Sequence, residues 1–332
     1  MSHPRPSGGV LTPWTPALAP PRARRPVVRA DDLYRGLLQA LCLLVLVVIA
    51  LIVWECAHGA LPAIRATGWR FLVDTDWDPI ADHYGALPYL YGTLVTSLIA
   101  MLLALPTAIG AAVFLADLAP PLVGEVVSFV IELLASIPSI VYGLWGVFVL
   151  APWLRTALEP WLIAHLGFLP LFQGFPFGLG FLNAGIVLAI MVVPTVTALS
   201  REILRAMPRT LNEAALALGA THAEGLAVTL DAARPGLLGA GILALGRALG
   251  ETMAMTMVIG NSNRITASLL SPGATMASVI ANEFTEATGK IYLSSLVEIA
   301  LVLFALTLVV NAIARLLVHL ATGGRRDVAG AA

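Results

Sequence analysis

From Leu37 to Trp54 the chain reads LLQALCLLVLVVIALIVW, eighteen residues without one charged side chain. A helix of that length crosses the hydrocarbon core of a bilayer, whereas a helix on a soluble core needs only one apolar stripe. Comparable runs recur along the chain, and 58% of its 332 residues are hydrophobic while only 12% are charged. A soluble domain carries about twice that share of charge. The pattern predicts an all-α polytopic membrane protein.

Six spans are expected, at about 36–57, 87–117, 122–150, 182–203, 235–260 and 293–321. Residues 1–30, rich in Pro, Arg and Ala, read as a disordered tail, 31–322 as the transmembrane domain and 323–332 as a second short tail. The first apolar run is too long for the core of a cleavable signal peptide and reads as a retained anchor. Basic residues gather on the side of the N-terminus: before span one (Arg22, Arg24, Arg25, Arg29, Arg35), from the end of span four to the start of span five (Arg201, Arg205, Arg209, Arg234) and from the end of span six onward (Arg315, Arg325, Arg326). Arg65, Arg70, Arg155, Arg264 and Lys290 fall opposite. The positive-inside rule then places both termini in the cytoplasm. The loop 151–181, dense in Trp and Phe, reads as an interfacial belt, and 271–295 as holding a short interfacial helix. Pro106, Pro138 and Pro194 lie inside spans and permit kinks.

A net charge of −1 offers no basic patch to a nucleic acid. The six histidines are scattered without metal-ligand spacing, and Cys42 and Cys56 would stand roughly 21 Å apart on one helix, too far to bridge. No catalytic constellation and no metal site stand out. The sole lysine, in Gly289-Lys290-Ile291, lacks the upstream glycine and the Ser or Thr of a P-loop. Energy for any transport must come from a partner or a gradient.

Two full charges interrupt the fifth span, in LGRALGETMAMT (245–256). If that span is one helix, Arg247 and Glu251 lie a turn apart near mid-bilayer, where each charge costs on the order of 3 kcal/mol. Facing lipid is excluded. Three arrangements remain: a buried ion pair (with each other, Glu132 or Glu298), the polar lining of a solute route, or a proton relay. Gly246 and Gly250 form a small-xxx-small step that lets another backbone approach. The longest loop on the N-terminal side, about 204–236, reads helix–glycine–helix, with Glu213, Ala214 and Ala215 before Gly219 and a second amphipathic segment near His222.

Glu213-Ala214-Ala215, three residues and Gly219 resemble the EAA loop of ABC-transporter permeases, which seats in a groove of the ATPase subunit. Within that family the chain resembles the phosphate-specific permease subunits of PstC type. The resemblance rests on YGTLVTSLIA (91–100), ELLASIPSIVYGLWGVF (132–148), GRALGETMAMT (246–256) and ANEFTEA (281–287), in family order across about 85–315. One departure stands out: where the family's loop continues Ile-x-Leu-Pro, this chain has Thr229, Asp231 and Ala232, with Pro235 three later.

The resemblance implies a type I ABC-importer permease of MetI-like architecture in a bacterial inner membrane. It moves inorganic phosphate by alternating access, with no cofactor of its own; ATP and Mg²⁺ sit on partner ATPase subunits. It also implies a second permease subunit, a related but different chain, and an extracytoplasmic phosphate-binding protein. Arg247 would then attract the anion. Glu251 would balance that charge or accept a hydrogen bond from the P–OH of HPO₄²⁻. Thr93 and Ser139 are further candidates for the route, and Glu213, Ala214, Ala215 and Gly219 for ATPase coupling. A permease for another oxyanion, molybdate or sulfate, and an ion-coupled secondary transporter are the competing readings.

Overall fold

The computed structural model describes residues 28–323, with side chains described for 33–320. Residues 1–27 of the expected N-terminal tail, and the C-terminal tail beyond 323, lie outside the described residues. The first helix, α1 (Val28–Thr67), begins inside the stretch read as tail and runs well past residue 57. The chain divides into two compact units, 1–52 and 53–332. In the first, the apolar side chains of α1 from Leu33 onward are exposed, Leu44 by 57% and Leu46 by 64%.

The second unit holds the rest. A short antiparallel hairpin, β1 (Trp77–Asp78) and β2 (His83–Tyr84), leads into α2 (Leu87–Val113), which ends in a π-helical turn, Phe114–Leu118. Then come α3 (Pro121–Ser136), α4 (Ser139–Leu166), α5 (Phe181–Arg205), α6 (Arg209–Ala217), α7 (His222–Leu249), α8 (Met253–Val258), α9 (Met276–Glu283) and α10 (Lys290–Gly323). Among the described residues, six helices are long and apolar enough to cross a membrane: Leu33–Leu72, Leu87–Leu118, Ser139–Leu166, Phe181–Arg205, His222–Leu249 and Lys290–Leu320.

Helix α5 is the axis of the bundle. Val187, Leu188, Val192 and Val196 are at most 1% exposed. Its main neighbour is α2, where Ala100, Ala104 and Ala108 recur at four-residue spacing and are fully buried. That stripe of methyl groups lets two backbones approach closely, which is how helices gain packing energy in lipid. Thr197 Oγ1 on α5 spans the contact, donating to the Ala108 carbonyl at 3.3 Å.

The third span differs from its expected form. It is broken at Ile137–Pro138, and its second half continues to Leu166, so Trp153 and Trp161 are helical rather than in a loop. Helices α3 and α4 together run antiparallel to α5. Ser128 and Glu132 border the small cavity beside Thr197 and Arg201, and the Gly146 carbonyl accepts from Asn183 Nδ2. Ser128–Gly146 and Asn183–Arg201 are equal stretches, about 27 Å of helix each, so the break falls near the middle of the hairpin. Pro138 has no N–H to offer the Leu134 carbonyl, and that acceptor is met by the Tyr142 hydroxyl at 2.9 Å. The Leu133 carbonyl accepts from Ser136 Oγ at 2.7 Å. Two hydroxyls therefore close what the proline opened, which is the condition for a break at membrane depth. Pro106 and Pro194 stay within α2 and α5.

The end of the bundle remote from α6 is fastened by one carboxylate. Glu283 Oε2 accepts from Trp77 Nε1 at 2.7 Å and from the Tyr292 hydroxyl at 2.9 Å. Trp77 meets Tyr84 and Tyr89 edge-on, and Tyr84 stacks on Tyr292. Burial, reinforced by a hydrogen bond to Asp82, pushes the Tyr84 phenol up to about 12. Helix α9, expected at the interface, is buried on Met276, Ala277, Ser278 and Val279. Its start is fixed by a Thr275–Ser278 capping box.

Candidate functional site

The fifth span is not one helix from 235 to 260. Helix α7 starts at His222, carries Pro235 within it and stops at Leu249; Gly250, Glu251 and Thr252 break it before α8. Arg247 and Glu251 are thus not a pair on one helical turn. Arg247 occupies the last turn of α7, where a cation suits the negative end of the helix dipole. Glu251 lies in the break, and its Oε1 accepts the Ala254 N–H of α8 at 3.4 Å, an anion at a positive helix end. The Gly250 and Glu251 N–H groups turn back onto the Arg247 and Ala248 carbonyls.

Arg247 is exposed and, among the described residues, joins no ion pair. Glu132 sits on α3 beside Arg201, and Glu298 is buried in α10 with Oε2 lacking a hydrogen-bond partner; neither meets Arg247. The guanidinium instead opens on a cavity of about 800 Å³ between α5, α7 and α10. Thr195, Gly239, Leu243, Gly246, Asn311 and Arg315 are among the residues around it. Thr195 lies about 15 Å from Arg205 along α5, which puts the cavity well inside the apolar depth of the bundle. An exposed arginine at that depth is tolerated where it borders water or polar solute. Arg247 also lies within electrostatic reach of Tyr142, the residue that closes the Pro138 break.

The other candidates divide. Thr93 is 1% exposed, and its hydroxyl accepts the Met276 N–H at 3.0 Å while donating to the Tyr89 carbonyl at 2.8 Å, which fastens α9 to α2. Ser139 is the first residue of α4, half-buried at the Pro138 break. Gly246 faces α10, where a Cβ would come 3.4 Å from Asn311 Nδ2. Gly250 is exposed at the end of α7 with no neighbouring helix against it, so the two glycines do not form one packing step in this chain. Sequence reasoning missed Asn311 and Arg315: both stand one turn apart on α10, and Arg315 reads from sequence as the cation that ends a span.

At the opposite end of α7 the loop that joins it to α5 has defined geometry. Glu213, Ala214 and Ala215 lie on α6, with Glu213, Ala214, Leu216 and Leu218 exposed. Gly219 adopts φ +89°, the left-handed conformation that favours glycine. The Ala220 N–H bonds the Ala215 carbonyl at 3.1 Å and the Gly219 N–H the Leu216 carbonyl at 3.0 Å, a Schellman motif. Thr221 then starts α7 with a capping box: its Oγ1 accepts the Glu224 N–H, and Glu224 Oε2 accepts the Thr221 N–H at 2.7 Å. His222 Nε2 approaches Asp117 Oδ2 at 3.9 Å, tying this turn to the end of α2.

Comparison with known proteins gives a consistent result. Residues 108–321 match the family described as binding-protein-dependent transport system inner membrane component. The phosphate transport system permease protein PstC of Xylella fastidiosa (strain 9a5c) is 46% identical over 87% of this chain and 90% of its own length. That of Mesorhizobium japonicum is 42% identical over 86% and 89%. The probable PstC of Methanocaldococcus jannaschii is 38% identical over 86% and 93%. Among solved structures, the methionine ABC transporter MetNI in an inward-facing conformation aligns over 70% of this chain and 93% of its own, with a TM-score of 0.51 and 17% identity, a likeness of fold.

Proposed function

The chain belongs to the binding-protein-dependent transport system inner membrane components, and from that membership we propose that it is the membrane-spanning permease subunit of an ATP-driven importer of inorganic phosphate. It is a multi-pass transport subunit, not an enzyme. Relatives named as phosphate permeases support phosphate over molybdate or sulfate.

In this reading the α6 end faces the cytoplasm, as do both termini, in accord with the placement of Lys and Arg. A separate ATPase seats on α6 through Glu213, Ala214 and Ala215, and hydrolyses ATP with Mg²⁺ there. A second permease subunit, a related chain, closes the route opposite the open face of α7. An extracytoplasmic binding protein delivers phosphate at the end fastened by Glu283.

The observation that carries the site assignment is the Arg247 guanidinium, without an ion-pair partner among the described residues and opening on the cavity of about 800 Å³. A guanidinium offers two parallel donors to phosphate oxygens. At about 4 Å and an effective dielectric near 20, each unit of opposite charge is worth roughly 4 kcal/mol, which a neutral side chain does not supply. Glu251, bonded into the α8 end, limits the net positive charge of the region without entering the cavity lining.

The test is reconstitution of the assembled complex in vesicles with loaded binding protein. ATP-dependent phosphate uptake, with sulfate and molybdate excluded and no uptake by this chain alone, is expected. Ion-gradient-driven uptake by the chain alone would contradict the reading.

A further inference from the structure

We infer that Arg315 is a second anion contact on the route, which receives phosphate from Arg247 on its way to the α6 side. The inference rests on the proposed function, and three features of the cavity lead to it.

First, Arg315 borders the same space as Arg247, from the facing helix. Along α7 the lining extends from Arg247 to Gly239, about 12 Å toward the α6 end, and along α10 from Asn311 to Val318, about 10 Å. Asn311 lies opposite Gly246, so Arg315, one turn further along α10, stands about 6 Å nearer the α6 end. The two guanidiniums are therefore staggered along the cavity rather than level.

Second, Arg315, like Arg247, is exposed and joins no ion pair among the described residues. Among the described residues, no carboxylate lines the cavity. Two uncompensated cations in one recess within a low-dielectric bundle focus a positive potential that favours anions over cations or neutral solutes.

Third, polar side chains accompany the two cations. Asn311 Oδ1 is buried without a hydrogen-bond partner, and Thr195 faces the recess from α5. The Thr195 hydroxyl, half-buried at the recess, can exchange hydrogen bonds with a phosphate oxygen, whereas the guanidiniums take the unprotonated oxygens. A single cation at mid-bilayer would hold the anion in one well; a second, staggered cation gives it a place to leave to. The alternative is that Arg315 only anchors α10 at the lipid headgroups, as cations near span ends do.

The experiment uses the assembled complex in vesicles, with Cys42 and Cys56 replaced by alanine. Losing charge-assisted contacts should make Arg315→Gln roughly tenfold slower in phosphate uptake per assembled complex. The loss should fall on turnover, with stimulation by the loaded binding protein retained. In Arg315→Cys, a cationic thiol reagent should restore uptake, and inorganic phosphate should slow its reaction with the thiol several-fold where chloride does not. If Arg315→Gln fails to assemble, Arg315→Lys, which keeps the charge and any lipid anchoring but lacks the planar fork, takes its place with an expected loss of about threefold. Uptake at the wild-type rate by the Gln or Lys variant, or labelling indifferent to phosphate, would overturn the inference. Arg247→Gln, measured in parallel, separates the levels: if it alone is impaired, only the second contact is wrong, and if neither is, the assignment of the cavity as the route fails too.

Discussion

The two ends of α7 are built in opposite ways. At His222 every turn of the chain is tied: the Schellman bonds of Gly219 and Ala220 close α6, and the Thr221–Glu224 capping box opens α7. At Leu249 the helix stops in a loose turn, with long bonds of 3.3 and 3.5 Å from Gly250 and Glu251 and an exposed arginine one turn before. In the proposed function the first end meets the ATPase and the second the anion. Between them α7 runs for 28 residues, about 42 Å, with Pro235 within it.

The comparison breaks most readily at Gly219. A side chain there is strained at φ +89° whatever the space around it. Gly219→Asp should uncouple the complex: phosphate-stimulated ATP hydrolysis and uptake fall more than about tenfold, beyond the ~1–2 kcal/mol strain of the turn itself. Retained co-purification with the ATPase together with normal stimulation would remove the docking role of α6. A smaller effect is expected from Thr221→Ala, which removes a cap worth about 1 kcal/mol and should lower the thermal midpoint of the complex modestly while leaving phosphate recognition unchanged. The smallest belongs to Glu251→Gln, which weakens an anion–helix contact of roughly 0.3–1 kcal/mol and should alter uptake by only a few-fold. Complete loss in that variant would mean that Glu251 enters the route itself.

How far the sequence disclosed this depends on the physics at each place. The six apolar spans were legible because length and polarity alone decide what can cross lipid. The α6–α7 turn was legible because Gly219 is an explicit stop signal in a polar loop, while the Thr221–Glu224 capping box that starts α7 emerges only in the structure. The two breaks were not. Pro138, Pro106 and Pro194 look alike in sequence, yet of the three only Pro138 breaks its helix, and there the Leu133 and Leu134 carbonyls are met by the Ser136 and Tyr142 hydroxyls, the second shared with the Ile137 N–H. The Gly250–Thr252 break was hidden because apolar residues continue on both sides, so periodicity carries no signal there. Reading it as continuous helix made Arg247 and Glu251 a pair, when each serves a different helix end. Thr93 read as a polar candidate for the route, and the structure places its hydroxyl between α2 and α9. Asn311 went unremarked and Arg315 counted only toward orientation, because what joins them to Arg247 is a contact between α7 and α10, far apart in the chain.

The most direct test of the link between the two ends is Arg247→Gln in the assembled complex, with phosphate uptake and ATP hydrolysis measured together. The expected result is a complex that assembles and retains ATPase activity, since the α6 end is intact, while phosphate uptake falls by about a hundredfold or more, as loss of a charge contact at membrane depth implies. Phosphate uptake near the wild-type rate in that variant would contradict the account.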